Sequence, residues 1–495
     1  MAWGHCSKKS PLSKDEESSL PFPRVCGTDL LNPTTAWSSQ SSVQTEPQQQ
    51  PQQQQQPLQV NYVIDDRNIP TDLPPAYSFV DPNTQQQQQQ QPPLPAHNEQ
   101  GHAALHAENL FADVKLENRT PNELLVTKGY SFDRPLSIIV DKRITTTMTA
   151  ERDTNVHNTN GIYVRAEVSY SGSAIKELVN VSDVINARNE YELHIESAGS
   201  FWTNMWLSCK LTVVFPMFDK HVHPGFSAEL SGGPVEMTCL DNIHFASVSM
   251  QLTKAKVLLT KLAADFVRVK TTSSSVTATN VTATNVFHAQ TSNSSIALTD
   301  VHSLDIMTRT TNSGITLSNV TSRTGSIDAS SSNGQLNCND VYAKDLQLRT
   351  TNSSIGAVHV SADSLVMETQ NSKITGSWNV EKLLKATTTN SKIEGAIALG
   401  CASLPTQICL TTTNSSIVAT LPAREFCGKF DCMTTNSNVN LKWKGKKLEM
   451  ADVDCPVSLV VDDKSHKCGF VGPSKAELQS FSARTTNSSV DIKFE

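Results

Sequence analysis

Apolar and polar residues alternate in a motif that recurs about every 20 residues through the second half of the chain. Counted back from a central residue, apolar side chains stand six and four positions earlier, with Thr308 the one exception, and Thr or Ser stands two positions earlier. A period of two is typical of a β-strand with one buried face. The central residues are Ser273, Asn293, Asn312, Asn333, Asn352, Asn371, Asn390, Asn414, Asn436 and Asn487.

The buried parity changes just after the central Asn, because the next apolar residues stand three and five positions beyond it, as Ile296 and Leu298 do. A change of parity requires a corner between two half-buried strands. Asn and Ser suit a corner, since Asn tolerates left-handed backbone angles and both side chains bond to nearby backbone groups. We therefore predict that the nine Asn residues form a structural corner and that their amides hydrogen-bond along the stack.

A fixed repeat of this length is the signature of a solenoid, a propeller or an array. One coil buries too few side chains to offset the entropy of ordering its backbone, so the coils must stack. The pattern predicts an all-β fold, a single-stranded parallel β-solenoid over residues 226–495. Its coils have about 20 residues, and a degenerate coil at Val457–Val461 fills the long gap before Asn487.

Two other regions precede the repeats. Residues 108–225 contain alternating segments of strand length between polar clusters, and we predict an antiparallel β region that caps the open end of the solenoid. Residues 1–107 are rich in Gln and Pro, and we predict that this tail is disordered because it has too few apolar residues to form a core. The Gln tracts are low-complexity sequence and suggest a eukaryotic source.

The tail contains one short motif with a known physical mechanism. Pro74, Pro75 and Tyr77 match Pro-Pro-x-Tyr, the ligand of WW domains, which bind an extended polyproline II segment in an aromatic groove. This motif predicts a WW-domain partner such as a ubiquitin ligase. The alternative is that the tetrapeptide arises by chance in a Pro-rich tail.

Charge and cysteine content bear on partners and compartment. The net charge of −7 comes from mixed acidic and basic residues with no basic stripe, so nucleic acid is not expected as a partner. The start of the chain shows no apolar signal segment, and no apolar run is long enough for a transmembrane helix. Eleven cysteines without a Cys-x-x-Cys pair suit a reducing compartment, so we expect a cytoplasmic protein.

The run Thr-Thr-Asn-Ser-Ser-Ile at residues 350–355 resembles the Thr-Ser-Gly-Asp-Ile repeat of the putative-adhesin β-solenoid family, a domain of unknown function. The strand Leu211–Phe215, followed by Pro216, resembles the Pro-terminated strand that precedes such repeats. The resemblance covers residues 209–495 and implies the solenoid fold. It supplies no catalytic residues, and this chain differs by placing Asn-Ser where the family has Gly.

Candidate chemistry is sparse. Parallel β-helices can be carbohydrate-active enzymes, but the outward carboxylates Asp328, Glu368 and Asp431 do not recur at one position on adjacent coils. His221 and His223, with Cys239 and His244, could be drawn as a zinc site, although solvated loop histidines explain the first pair more simply. We expect no cofactor and no metal.

Three functional hypotheses follow. The first is a non-enzymatic interaction or scaffold protein whose rigid Ser/Thr/Asn-rich solenoid face binds a protein or a glycan. The second is a surface adhesin or cell-wall-associated protein, and the third is a carbohydrate-active β-helix enzyme. Thr ladders also raise ice binding, but the outward positions three and one before the Asn are both Thr only at Thr387/Thr389 and Thr411/Thr413.

Overall fold

The computed structural model describes residues 114–153, 161–172, 175–198, 206–216, 222–400, 405–422, 426–443, 446–447, 457–472 and 479–495. The predicted disordered tail, residues 1–107, and the Pro-Pro-x-Tyr motif within it lie outside the described residues.

The described residues form 27 strands and one 3₁₀ turn at Ile175–Glu177. The strands are β1 Lys115–Thr120, β2 Glu123–Ser131, β3 Leu136–Val140, β4 Ile144–Arg152, β5 Gly161–Tyr170, β6 Val179–Ile185, β7 Tyr191–Ser197, β8 Leu207–Phe215, β9 Val222–His223, β10 Phe226–Thr253, β11 Val257–Thr271, β12 Val276–Gln290, β13 Ile296–Thr310, β14 Ile315–Ser331, β15 Leu336–Thr350, β16 Ile355–Glu368, β17 Ile374–Thr387, β18 Ile393–Leu399, β19 Gln407–Thr411, β20 Ile417–Leu421, β21 Gly428–Thr434, β22 Val439–Trp443, β23 Lys446–Lys447, β24 Val457–Asp462, β25 His466–Val471, β26 Ser480–Thr485 and β27 Val490–Phe494.

The central part of the fold is a parallel β-solenoid of about nine turns of roughly 21 residues. From β10 to β17, each long strand pairs in parallel with the next, and equivalent positions of the repeat lie side by side. The predicted all-β solenoid is confirmed.

The core consists of columns of aliphatic side chains that run along the stack. One column begins three positions beyond the corner, where Ile296 pairs with Ile315, then Leu336, Ile355 and Ile374. All five are essentially inaccessible to solvent. Each coil therefore covers the apolar face of its neighbours, which explains why the repeat must stack to fold.

The C-terminal coils do not stack in chain order. Strand β26 lies between β19 and β21, and β27 lies between β20 and β22, with parallel pairing on both sides. The last residues of the chain therefore form a coil inserted between two earlier ones. The predicted degenerate coil at Val457–Val461 is wrong, because β24 and β25 form an antiparallel hairpin that pairs with β21 and covers the end of the stack. The antiparallel hairpin pairs with the exposed edge of β21. Another parallel coil would have left a new unpaired edge farther out.

The N-terminal strands also stack out of chain order. Strands β3 and β4 pair in parallel with β10 on one side and with β7 and β8 on the other. The parallel stack thus extends back beyond residue 226, into the region predicted to be only an antiparallel cap. Antiparallel strands are present outside it, where β5 pairs with β8, β2 with β5, and β6 with β7.

Candidate interaction faces

A ladder of side-chain amides runs along the Asn corner. Nδ2 of every Asn but Asn293 donates to Oδ1 of the Asn on a neighbouring coil at 2.7–2.8 Å, and these eight bonds join all nine residues. Asn487 lies between Asn414 and Asn436, as the inserted coil requires. These exposed amides bond mainly to one another and define a straight edge of the solenoid.

The Thr or Ser two positions before the corner is buried, and its hydroxyl supports the corner from inside. Thr310, for example, donates to the carbonyl of Ser294 on the preceding coil at 3.1 Å, and Thr350 donates in the same way to Gly334. The same bond recurs from Thr271 to Thr485. The most frequent hydroxyl of the repeat is therefore used for structure and is not available to a ligand.

A second corner, which the repeat pattern did not reveal, lies seven positions beyond the first. Its residues have left-handed backbone angles in seven consecutive coils, with φ between 52° and 57°: Cys239, Lys261, Asn280, Asp300, Asn319, Asp340 and His359. The nine corner Asn residues do not adopt this conformation. The expectation that left-handed tolerance selects Asn at the first corner is therefore wrong, and the amide ladder is the better explanation. The Asn and Asp residues at four of these positions were the feature of the sequence that could have indicated the second corner.

One outward face of the solenoid, the charged face, is formed by side chains five and three positions before the first corner. Its ion pairs link neighbouring coils: Arg309 to Asp328 at 3.5 Å, Arg349 to Glu368 at 3.4 Å and Lys385 to Glu368 at 2.7 Å. Hydrogen bonding from Lys385, together with nearby Arg349, lowers the pKa of Glu368. Carboxylates on this face are neutralised by their neighbours.

Asp431 is the last carboxylate of the charged face, and it is held from two sides. Nε2 of His466 lies 2.9 Å from Oδ1, and the Arg484 guanidinium lies 2.6 Å from Oδ2. His466 comes from the capping hairpin and Arg484 from the inserted coil. This contact therefore ties three segments together at the C-terminal end.

A different outward face, the polar face, is formed by side chains four and six positions beyond the first corner. Across seven consecutive coils it contains no charged residue, and all its members are at least partly exposed. Neighbouring members lie side by side in parallel register. They form two rows, Leu258, Thr277, Ala297, Thr316, Asn337, Gly356 and Thr375, and Thr260, Thr279, Thr299, Ser318, Asn339 and Val358.

His223, which the sequence placed in a solvated loop, is buried instead. Its ring packs against Phe132, Phe215 and Phe245, with centroid distances of 4.7, 5.8 and 5.4 Å. Nδ1 accepts a hydrogen bond from the Gly225 N–H at 3.2 Å, and burial lowers the pKa of His223 to about 4. A neutral imidazole thus fills an aromatic site between the N-terminal strands and the solenoid.

Of the residues drawn as a zinc site, those that the structure describes have other surroundings. His244 contacts Asp265 at 2.8 Å, Cys239 is exposed, and His221 lies outside the described residues. Within the described ranges, no three His, Cys, Asp or Glu side chains are grouped so as to hold a metal ion. In the same part of the chain, no helix is long and apolar enough to cross a membrane.

Comparison with known proteins gives little to add. No protein family and no curated protein matches the chain. A search of solved structures finds a protein from Clostridium sporogenes described as a putative cell adhesion protein, with 8% sequence identity and a TM-score of 0.15. The match covers 77% of this chain and all of that chain. Identity and TM-score are too low for either fold or function to be transferred.

Proposed function

We propose that the chain is a non-enzymatic interaction protein whose solenoid presents the polar face to a protein or a glycan. The observation that carries this proposal is the run of seven coils without a charged side chain on that face. Hydroxyl and amide groups spaced by the strand separation, about 4.8 Å, can bond a repetitive ligand at several points without desolvating a charge.

The outward carboxylates support a non-enzymatic role. Glycoside hydrolysis requires two carboxyl groups across the scissile bond, one of which stays protonated because its pKa is raised. Here Asp328, Glu368 and Asp431 each contact a cation, and the pKa of Glu368 is lowered. These side chains are suited to holding coils together.

The tail motif belongs to the same proposal. Pro74, Pro75 and Tyr77 would recruit a WW-domain protein, such as a ubiquitin ligase, to whatever the solenoid binds. Replacing Tyr77 with Ala should abolish capture of WW domains in a pull-down, because the ring fills the aromatic groove. Undiminished capture by the Tyr77→Ala chain would remove the adaptor role and leave the solenoid proposal standing.

A cytoplasmic location is also proposed. Cysteines in the described part of the chain are free thiols, and Cys209, Cys338 and Cys432 are buried in the core. Buried thiols without disulfides are compatible with a reducing compartment. Fractionation of the native protein, with a test for N-linked glycans, separates this location from the surface location of an adhesin.

Site-specific photo-crosslinking in cells tests the polar face. A photoreactive side chain in place of Thr299, at the centre of the face, should form adducts with the bound protein or glycan. The matched control is the same group in place of Val366, on the charged face. Adducts at Thr299 should disappear when Ser318 is replaced by Glu, since a charge then enters the contact. Equal adducts at both positions, or none at Thr299, would refute the proposal.

A further inference from the structure

A cluster of basic side chains lies on the charged face with one carboxylate, Asp328, at its edge. Arg268 pairs in register with His288, and Lys270 pairs with Gln290, which pairs with Arg309. Arg268 and Lys270 are exposed and form no ion pair with the residues that the structure describes. We call Arg268, Lys270, His288 and Arg309 the basic cluster.

Three residues that pair in register with members of the basic cluster are neutral. Ser249 and Gln251 precede Arg268 and Lys270 in register, and Met307 follows His288. Asp328 contacts Arg309 at 3.5 Å and forms no ion pair with another member of the cluster in the described structure. Farther along the same face, Arg349 and Lys385 share Glu368. Arg268 and Lys270 thus differ from these cations of the charged face in having no ion-pair partner among the described residues.

Three of these cations lie close enough to the His288 ring to affect its protonation. Burial, and then repulsion from Arg268, Arg309 and Lys270, lower the pKa of His288 to about 4. Its Nε2 is buried and has no hydrogen-bond partner among the described residues. A neutral imidazole therefore lies among three cations, and an anion bound there could accept hydrogen bonds from the exposed Arg268 and Lys270.

We propose that the basic cluster binds a phosphate group on an extended segment of a partner protein. An Arg guanidinium binds a phosphate through two parallel hydrogen bonds, and Lys270 supplies further donors. Clusters of Arg are a common means of recognising phosphorylated segments. The cluster lies on exposed strands without a deep cradle, which suits an extended chain laid across several coils.

Two features favour a protein over a nucleic acid. The cations span three coils only, and Asp328 follows directly, so a duplex would meet negative charge after a few phosphates. The chain as a whole carries a net charge of −7, which repels a polyanion approaching elsewhere. A single phosphate on a short segment avoids both difficulties.

The proposal concerns a site apart from the polar face, so the two can fail independently. The probe is a heptapeptide of Gly and Thr with one central phosphoserine, compared by calorimetry with the same peptide carrying serine. The phosphopeptide should bind the full chain at least about tenfold more tightly, the factor expected for one or two charge-assisted hydrogen bonds. The double variant Arg268→Ala/Lys270→Ala should lose that preference.

The matched control is Arg349→Ala, which removes an exposed cation three positions before the corner, as Lys270 is, but one that already pairs with Glu368. It should retain the preference. A second readout is the NMR titration of His288, whose pKa should rise by about one unit or more with saturating inorganic phosphate, because an opposite charge favours the imidazolium.

Each contrary outcome overturns the assignment. Equal loss in Arg349→Ala would mean diffuse charge attraction, and no preference for the phosphopeptide would mean that no such site exists. Tighter binding to duplex DNA or to phosphatidylserine vesicles than to the phosphopeptide would assign the cluster to another ligand. Circular dichroism of the variants, all exposed substitutions, confirms that they fold.

Discussion

Trp378 and Trp443 are the bulkiest fully buried side chains of the described residues, and glycines on the coil of Trp378 and on the next coil make room for Trp378. A Cβ added at Gly395 would lie 2.5 Å from a ring carbon of Trp378, closer than two carbons can approach. A Cβ at Gly356 would meet nothing nearer than 3.4 Å. A methyl group would therefore clash at Gly395 but would fit at Gly356.

Replacing Gly395 with Ala should therefore destabilise the fold by about 1–3 kcal/mol, the usual cost of overpacking a core. Gly356→Ala should be neutral or slightly stabilising, because it restricts the unfolded chain without a clash. Thermal unfolding of the two variants beside the parent measures the difference. Equal melting temperatures would mean that Trp378 can move aside.

The buried neutral His223 makes stability depend on pH. Its pKa is about 4 in the folded state and about 6.5 when unfolded, so between these values the unfolded chain binds one more proton. The free energy of unfolding is therefore highest above pH 6.5, as far as His223 is concerned. It falls by about 3 kcal/mol in all as the pH falls toward 4. Replacing His223 with Phe should flatten the pH dependence of unfolding in that window relative to the parent. His288 retains its own slope in both proteins, so an unchanged slope would contradict the assignment to His223.

At the scale of the element, each long strand packs its buried side chains against the strands of both neighbouring coils. Ile355 lies between Leu336 and Ile374 in the same column, and all three are inaccessible to solvent. A charge placed there meets apolar side chains on both sides and has no hydrogen-bond partner.

Replacing Ile355 with Asp should unfold several coils, because the cost exceeds what adjacent coil contacts supply. Thr316→Asp, which places the same charge on the polar face one residue from the column at Ile315, should change stability by less than about 0.5 kcal/mol. Hydrogen exchange across β14–β17 measures how far unfolding spreads. Protection equal to the parent in the Ile355→Asp protein would disprove the inward orientation of this position.

The solenoid itself followed from the sequence because its periods are local: two residues along a strand and about 20 between coils. The second corner did not, since only four of its seven residues are Asn or Asp, and Cys239 and Lys261 share only the backbone angle with them. The basic cluster also required the structure. Arg268 and Arg309 are 41 residues apart in sequence, and only the register of β11, β12 and β13 brings them onto one patch.

At the scale of the whole molecule, the order of coils at each end could not be read from the repeat. The repeat motif identifies the residues of each coil, but it does not determine which other coils that coil stacks against. The long interval before Asn487 was visible, yet an extra coil and an antiparallel hairpin would both fill it. The choice depends on the pairing of β21 with β25 and β26, a contact between distant parts of the chain.

Deleting residues 479–495 should leave the facing edges of β19 and β21 without partners, and likewise those of β20 and β22. The truncated protein should melt at lower temperature and aggregate, because unpaired edges recruit other chains. Adding residues 479–495 as a peptide should restore the melting temperature. The same peptide with Phe481 and Val490 replaced by Asp should not, and rescue by both peptides would contradict a specific inserted coil.

The inserted coil has a consequence for biosynthesis. The ribosome makes residues 428–443 before residues 480–494, yet the later segment lies between the earlier coils in the finished stack. Folding that follows translation can therefore build the solenoid as far as β20 but must keep a place open for the final strands. The stack is complete only after residues 480–494 have been made, so a product that lacks them lacks an internal layer of the solenoid rather than an outer strand.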